Sequence, residues 1–199
     1  MPDQLALLYP QHLATVRERA DRALALAGFD HLLVAAGMPG VKFLDDNHYP
    51  YAVSPQFKHW LPLINAPGSW IAYTPGARPK LIFLQPRDYW HVVPDAPSGY
   101  WVGAFEIVTV RTAEEAIAQL PKGHCAVIAE PTASVAGIEA NNPRLVLDYL
   151  HYHRACKTPY ELALMREARR VGTRAHRAAE QAFRRGESSW LSPVRPRQR

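Results

Sequence analysis

Residues 20–36 read Ala20-Asp21-Arg22-Ala23-Leu24-Ala25-Leu26-Ala27-Gly28-Phe29-Asp30-His31-Leu32-Leu33-Val34-Ala35-Ala36, and a change of period inside this stretch decides the fold. Up to Ala27 the apolar positions fall at helical spacing. Gly28 is a helix stop, because glycine enters the left-handed conformation that ends a helix without steric cost. From His31 to Ala36 the residues are apolar almost without a break, as in a strand buried on both faces. A helix that hands over within three residues to a buried strand is the beginning of an α/β domain.

Upstream, residues 3–27 form one amphipathic helix. Leu5, Leu8, His12, Thr15, Val16, Ala20, Ala23, Leu24 and Ala27 recur every three or four residues, with Arg17, Glu18, Arg19, Asp21 and Arg22 mostly opposite. Pro10 is expected to kink or restart it, since proline lacks the amide hydrogen and its ring crowds the preceding turn. Downstream, residues 37–68 mix proline, aromatic and polar residues and predict an irregular segment with short pieces of structure. Trp70 to Tyr73 and Lys80 to Leu84 predict a hairpin around Thr74-Pro75-Gly76. A strand over Phe105 to Val110, a helix over Ala113 to Leu120 and a strand over Cys125 to Ala129 follow. Asn142-Pro143 opens a helix with Leu145, Val146, Tyr149, Leu150 and His153 on one face. The last helix is the best specified: Thr158 caps it, Pro159 occupies the first turn, and Glu161 completes a capping box. Its stripe of Leu162, Met165, Ala168, Gly172, Ala175, Ala179 and Ala182 predicts close packing on another surface, and Gly186 ends it.

The 199 residues suit one domain with room for a further element. A chain of this size buries roughly 70% of its unfolded surface. The longest apolar runs fall far short of the about 20 residues that span a bilayer, and no signal peptide is visible in the charged first 27 residues. Cys125 and Cys156 are too few for a disulfide framework and predict free thiols in a cytoplasmic protein. The net charge of +5 is uneven: residues 1–143 hold 10 Lys/Arg and 13 Asp/Glu, whereas residues 144–199 hold 13 and 5. A basic end is a solvated helix face more often than a nucleic-acid site.

A set of phrases occurs in a particular order. Phe43-Leu44-Asp45-Asp46, Tyr49-Pro50-Tyr51 and Pro55-Gln56-Phe57-Lys58-His59-Trp60 are followed by Lys80-Leu81-Ile82-Phe83 and Asp88-Tyr89-Trp90-His91. Then come Asp148-Tyr149-Leu150-His151-Tyr152-His153-Arg154 and Lys157-Thr158-Pro159-Tyr160-Glu161-Leu162-Ala163, with Met165-Arg166-Glu167-Ala168 after them. Together they resemble bacterial Xaa-Pro dipeptidases (prolidases), including members that hydrolyse organophosphorus triesters, through about residue 188. The resemblance implies a creatinase-like domain over residues 1–155, a mixed sheet between helices, and over residues 156–188 the first helix of a pita-bread domain. It further implies a homodimer acting on dipeptides; the short apolar runs and the solvated reading of the basic end argue for no membrane and no nucleic-acid partner. Two manganese ions on two Asp, one His and two Glu activate a water and polarise the scissile carbonyl in the family. All of those ligands lie beyond the residue matching Gly186, so these residues are expected to hold no metal and to be inactive alone. From Ser189 the match lapses into an aperiodic tail with two prolines and three arginines, which reads as a frameshifted or artificially ended frame.

The candidate site residues carry bland readings as well. Asp45 and Asp46 follow a probable strand end. On an extended segment they point to opposite sides and do not share one ion, and either could cap or pair. The resemblance places this segment at the partner subunit's active-site mouth, where Asp46 would meet a dipeptide's ammonium group. Trp90 and His91, with Trp60 and Tyr89, could line that mouth; aromatics are more often packing. His151 and His153 sit about 200° apart on a helix and do not converge on a metal; packing and capping are the expected roles. Gly37-Met38-Pro39-Gly40 lacks the spacing of a phosphate loop, and no serine has a positioned His and Asp. The alternative to a dipeptidase part is a non-catalytic dimerisation or interaction module.

Overall fold

A computed structural model describes residues 2–89, 93–130 and 138–186. The chain divides into two compact units, Met1–Cys156 and Lys157–Arg199.

In the first unit, helix α1 spans Pro2–Ala27 and runs unbroken through Pro10. The expected kink or restart is not an interruption, because Pro10 is on the exposed side, where water can take the carbonyl bond that proline cannot make. The buried stripe is Tyr9, His12, Leu13, Val16, Ala20, Ala23 and Leu24, while Leu5, Leu8 and Thr15 are only half-buried. Gly28 takes a φ of +73°, and the Phe29 N–H donates to the Leu24 carbonyl at 3.1 Å, the six-to-one bond of a left-handed helix end.

Strand β1 (His31–Ala35) then enters a five-stranded mixed sheet, one place in from its edge. It pairs antiparallel with β2 (Trp70–Tyr73) and parallel with β5 (Cys125–Ile128). On the far side of β2 lies β3 (Lys80–Leu84), antiparallel to it, and then β4 (Glu106–Val110), parallel to β3, for the order β4-β3-β2-β1-β5. The hairpin turn is closed by the Ala77 N–H on the Thr74 carbonyl at 3.0 Å.

Strand alternation sends Leu33, Ala35, Trp70, Ala72, Ile82, Val110 and Val127 to one face, where they pack with Ala116 of helix α3 (Ala113–Ala118). The opposite face meets α1. There the Tyr73 hydroxyl donates to Asp21 at 2.6 Å, and the Tyr73 ring lies 5.1 Å from that of Trp60 on helix α2 (Pro55–Trp60). Both faces are therefore dry, which is why β1, β2 and β3 read as apolar runs rather than as alternations.

Helix α4 (Arg144–Arg154) closes this side through Val146. Leu145, expected on its packed face, is 68% exposed. Val146, Tyr149, Leu150 and His153 are buried or half-buried as expected, so Leu145 lies just outside the packed face. Among the described residues, Asn141 and Asn142 cover the β5 edge, the Asn142 backbone N–H donating to the Val127 carbonyl at 3.0 Å. Asn141 bonds the Val127 N–H and Cys125 carbonyl at 2.8 Å each, and Asn142 bonds the Ala129 N–H and carbonyl at 3.2 and 2.9 Å. Two amides thus occupy groups that would otherwise template pairing with another chain. In the second unit, helix α5 (Pro159–Arg184) has the expected capping box, and Gly186 follows it at a φ of +74°.

The C-terminal carbonyls of α2 have no partner within their own helix. Tyr9 donates its hydroxyl to the Trp60 carbonyl at 2.7 Å, and His12 Nε2 donates to the His59 carbonyl at 2.8 Å. Two residues one turn apart on α1 thereby fasten α2. Tyr9→Phe leaves a buried carbonyl without that hydroxyl and is expected to cost about 1–3 kcal/mol. Urea denaturation should show a lower midpoint at an unchanged slope.

Candidate functional site

The sheet's pairing ends at Ala36, and the chain leaves it as an arm. Val41 and His48 form an isolated antiparallel bridge. Inside it, the Lys42 N–H donates to the Asn47 carbonyl at 2.9 Å and the Asp45 N–H to the Lys42 carbonyl at 3.2 Å. Leu44 takes a φ of +56°, an uncommon conformation for a branched aliphatic residue, and turns the chain at the tip. The base is firm: the Ala36 carbonyl accepts from the Ser54 N–H at 2.9 Å and from the Tyr51 hydroxyl at 3.1 Å.

This tight turn corrects the picture of Asp45 and Asp46 on an extended segment facing opposite ways. With Leu44 left-handed, the Asn47 side-chain amide reaches both carboxylates, Asp45 at 2.8 Å and Asp46 at 3.4 Å. Asp45 also accepts the Asn47 backbone N–H at 3.0 Å. That backbone bond, reinforced by the Asn47 amide, holds the Asp45 carboxyl below the ordinary carboxylate range. Asp45 is committed to building the turn, while Asp46 is exposed and makes one long bond. Asn47, which links the two carboxylates, had no signal in the sequence beyond its turn propensity.

The arm's apolar side chains face outward. Phe43 is 88% exposed and Leu44 91%, with Val41 and Tyr49 also open. Contiguous exposed aromatic and aliphatic groups held on a hydrogen-bonded base are the form of an association surface. Trp60, weighed as a mouth residue, is 3% exposed and belongs to the core beside Tyr73. Tyr89 is exposed. Trp90 and His91 lie outside the described residues.

Elsewhere the chemistry is sparse. His153 packs its ring against Tyr149 and Tyr152, at 4.2 and 5.2 Å between centroids, whereas His151 is exposed and takes no packing role. Burial, helped by Asp30, raises the Cys125 thiol, so it is less ionised than a free cysteine. Among the described residues no group of three or more His, Cys, Asp or Glu could hold a metal ion, so they do not fit the manganese pair that the resemblance implies.

Comparison with known proteins gives a consistent result. The family model described as the Xaa-Pro dipeptidase N-terminal domain matches residues 7–152. The chain is 55% identical over 188 residues to the Xaa-Pro dipeptidase of Xanthomonas euvesicatoria pv. vesicatoria (strain 85-10), covering 94% of this chain and 43% of that protein. It is 56% identical over 181 residues to the Xaa-Pro dipeptidase of Stenotrophomonas maltophilia (strain K279a), covering 90% and 41%. The chain thus spans less than half the length of these curated relatives.

The arm's base carries a pH dependence. Burial of the Tyr51 hydroxyl, reinforced by Glu130 and opposed by the Ala66 backbone, pushes its pKa up to about 12 from 10.0. The folded state therefore holds this proton more tightly than the unfolded state. Its stabilisation is complete below pH 10.0 and is lost as pH rises towards about 12. Melting temperature followed from pH 8 upward is expected to fall across that window, and Tyr51→Phe to flatten the fall.

Proposed function

Because this chain belongs to the Xaa-Pro dipeptidase family through its amino-terminal domain, we propose that it builds the dimer and the rim of the active site in a metal-dependent dipeptidase. The observation that carries this reading is the outward-facing arm, with Phe43 and Leu44 exposed at its tip and Asp46 beside them. Burying two such side chains on a second copy contributes about 1.5–3 kcal/mol each. Docking of this kind would bring Asp46 to the edge of the partner's catalytic cleft.

There Asp46 receives the free ammonium of an Xaa-Pro dipeptide by a charge-assisted hydrogen bond, with Trp90 and His91 as further contacts. Recognising that ammonium fixes the first peptide bond from the amino end as the one that is cut. Manganese ions, held by the catalytic half, supply water activation and carbonyl polarisation when bound. Residues 1–155 form the creatinase-like domain, residues 156–188 the first helix of the catalytic half, and residues 189–199 an aberrant tail. The protein works in the cytoplasm. Among the described residues no helix is long and apolar enough to cross a membrane. Organophosphorus triester hydrolysis is a side activity of the same metal centre.

A second reading, a non-catalytic interaction module, is favoured by α5. Its Met165, Val171 and Phe183 are 52%, 51% and 82% exposed, and apolar stripes of this kind drive association.

Assays separate the readings. The purified 199-residue chain with manganese is expected not to hydrolyse Gly-Pro or Ala-Pro; turnover free of contaminating enzyme refutes the assignment. Light scattering should give a dimer, with Phe43→Asp shifting it to monomer. In a full-length relative with this arm, Ala at the position matching Asp46 should raise KM about tenfold with kcat nearly unchanged, the loss of one uniform binding contact. An unchanged KM removes Asp46 from the site.

A further inference from the structure

Strand β4 is the last strand on its side of the sheet, with only β3 beside it among the described residues. In the parallel β3–β4 pairing the Glu106 N–H donates to the Pro79 carbonyl and the Gln85 N–H to the Val110 carbonyl, each at 2.9 Å. These two bonds fix which residues look inward: Glu106, Val108 and Val110 turn their backbone groups to β3. Ile107 and Thr109 turn theirs outward, and none of those N–H and C=O groups has a partner among the described residues. The opposite edge, at β5, is shielded by Asn141 and Asn142. Nothing comparable guards β4. It carries no proline, its Glu106 is drawn to Lys80 at 3.3 Å, and Ile107, Val108, Thr109 and Val110 are all β-branched.

We propose that this edge pairs with the same edge of a second copy, antiparallel, about a two-fold axis through Val108. The register follows from which groups are open. With Val108 opposite Val108, Ile107 of each copy lies opposite Thr109 of the other, and each such pair exchanges two bonds. All the open N–H and C=O groups of both strands are then met. A register centred on Ile107 would need the Phe105 N–H, which already donates to the Val102 carbonyl at 3.1 Å. One centred on Thr109 would need the Arg111 N–H, which already donates to Glu115 at 2.6 Å. Those same two bonds stop the new ladder at its ends. A parallel copy in register would oppose Glu106 to Glu106, whereas the antiparallel copy sets no like charges opposite each other. The contact lies in the first unit and does not rest on the dipeptidase reading. Beside the arm it is a second two-fold surface, made of backbone bonds rather than apolar side chains.

A few backbone bonds make a weak contact, with a dissociation constant on the order of 1 mM. The test uses the 199-residue chain carrying Phe43→Asp, which silences the arm, at about 0.05 mM and about 1 mM. Amide exchange followed by NMR is expected to slow about twofold at Ile107 and Thr109 at the higher concentration, where half of the chain is paired, and to stay unchanged at the other amides. Light scattering should show the mean mass rising about 1.5-fold over the same range. Thr109→Pro removes an outward N–H and no bond to β3. It is expected to hold the mean mass at the monomer value at both concentrations. Exchange at Ile107 and Thr109 that does not depend on concentration, or a mass increase that survives Thr109→Pro, overturns the proposal. If Thr109→Pro fails to fold, the amide measurement on Phe43→Asp decides alone.

Discussion

Ala36 is the residue at which the sheet becomes an arm. Its N–H donates to the Ser69 carbonyl at 2.9 Å, continuing the β1–β2 pairing by one residue. Its carbonyl turns to the returning chain and accepts from Ser54 and Tyr51. Gly37, at a φ of +91°, makes the departure possible, and its carbonyl accepts from the Gly68 N–H at 2.9 Å. The segment between these bonds is closed at its root, so the few bonds at its tip suffice to define it. The entropy of ordering a loop is lowest when its ends are already held together.

That closure separates two kinds of apolar residue in one segment. Phe57 and Trp60 return to the core, whereas Phe43 and Leu44 stay in water. The first pair is accounted for by packing against α1 and β2. The second pair packs against none of the core elements and stays 88% and 91% exposed. The two carboxylates at the tip divide similarly. Asp45 is used up by Asn47, and Asp46 is left to face outward.

The same division of labour recurs at the sheet edge. β5 would present open N–H and C=O groups to solvent, but Asn141 and Asn142 occupy several of them with side-chain amides. Asn142 takes a φ of +38°, tolerated because its short polar side chain bonds locally. Polar side chains thus shield the β5 edge, whereas the arm holds Phe43 and Leu44 exposed on a hydrogen-bonded turn.

Much of this was legible in the sequence. The α1–Gly28–β1 handover, the Thr74-Pro75-Gly76 hairpin and the Thr158–Glu161 capping box rest on local rules: period, turn chemistry and side-chain reach over three or four residues. The family resemblance rests on something else, the likeness of the ordered phrases to those of a known family. Three things depended on contacts between residues distant in the chain. Which turn of α1 faces inward is settled by Tyr9 and His12 reaching the α2 carbonyls some 50 positions away. Whether Trp60 is a surface aromatic or core is settled by Tyr73. The arrangement of Asp45 and Asp46 is settled by a left-handed Leu44, which no propensity favours and which the surrounding hydrogen bonds impose. Local sequence specifies which elements form. Their facing, and therefore which side chains remain in water, is chosen only when the elements meet.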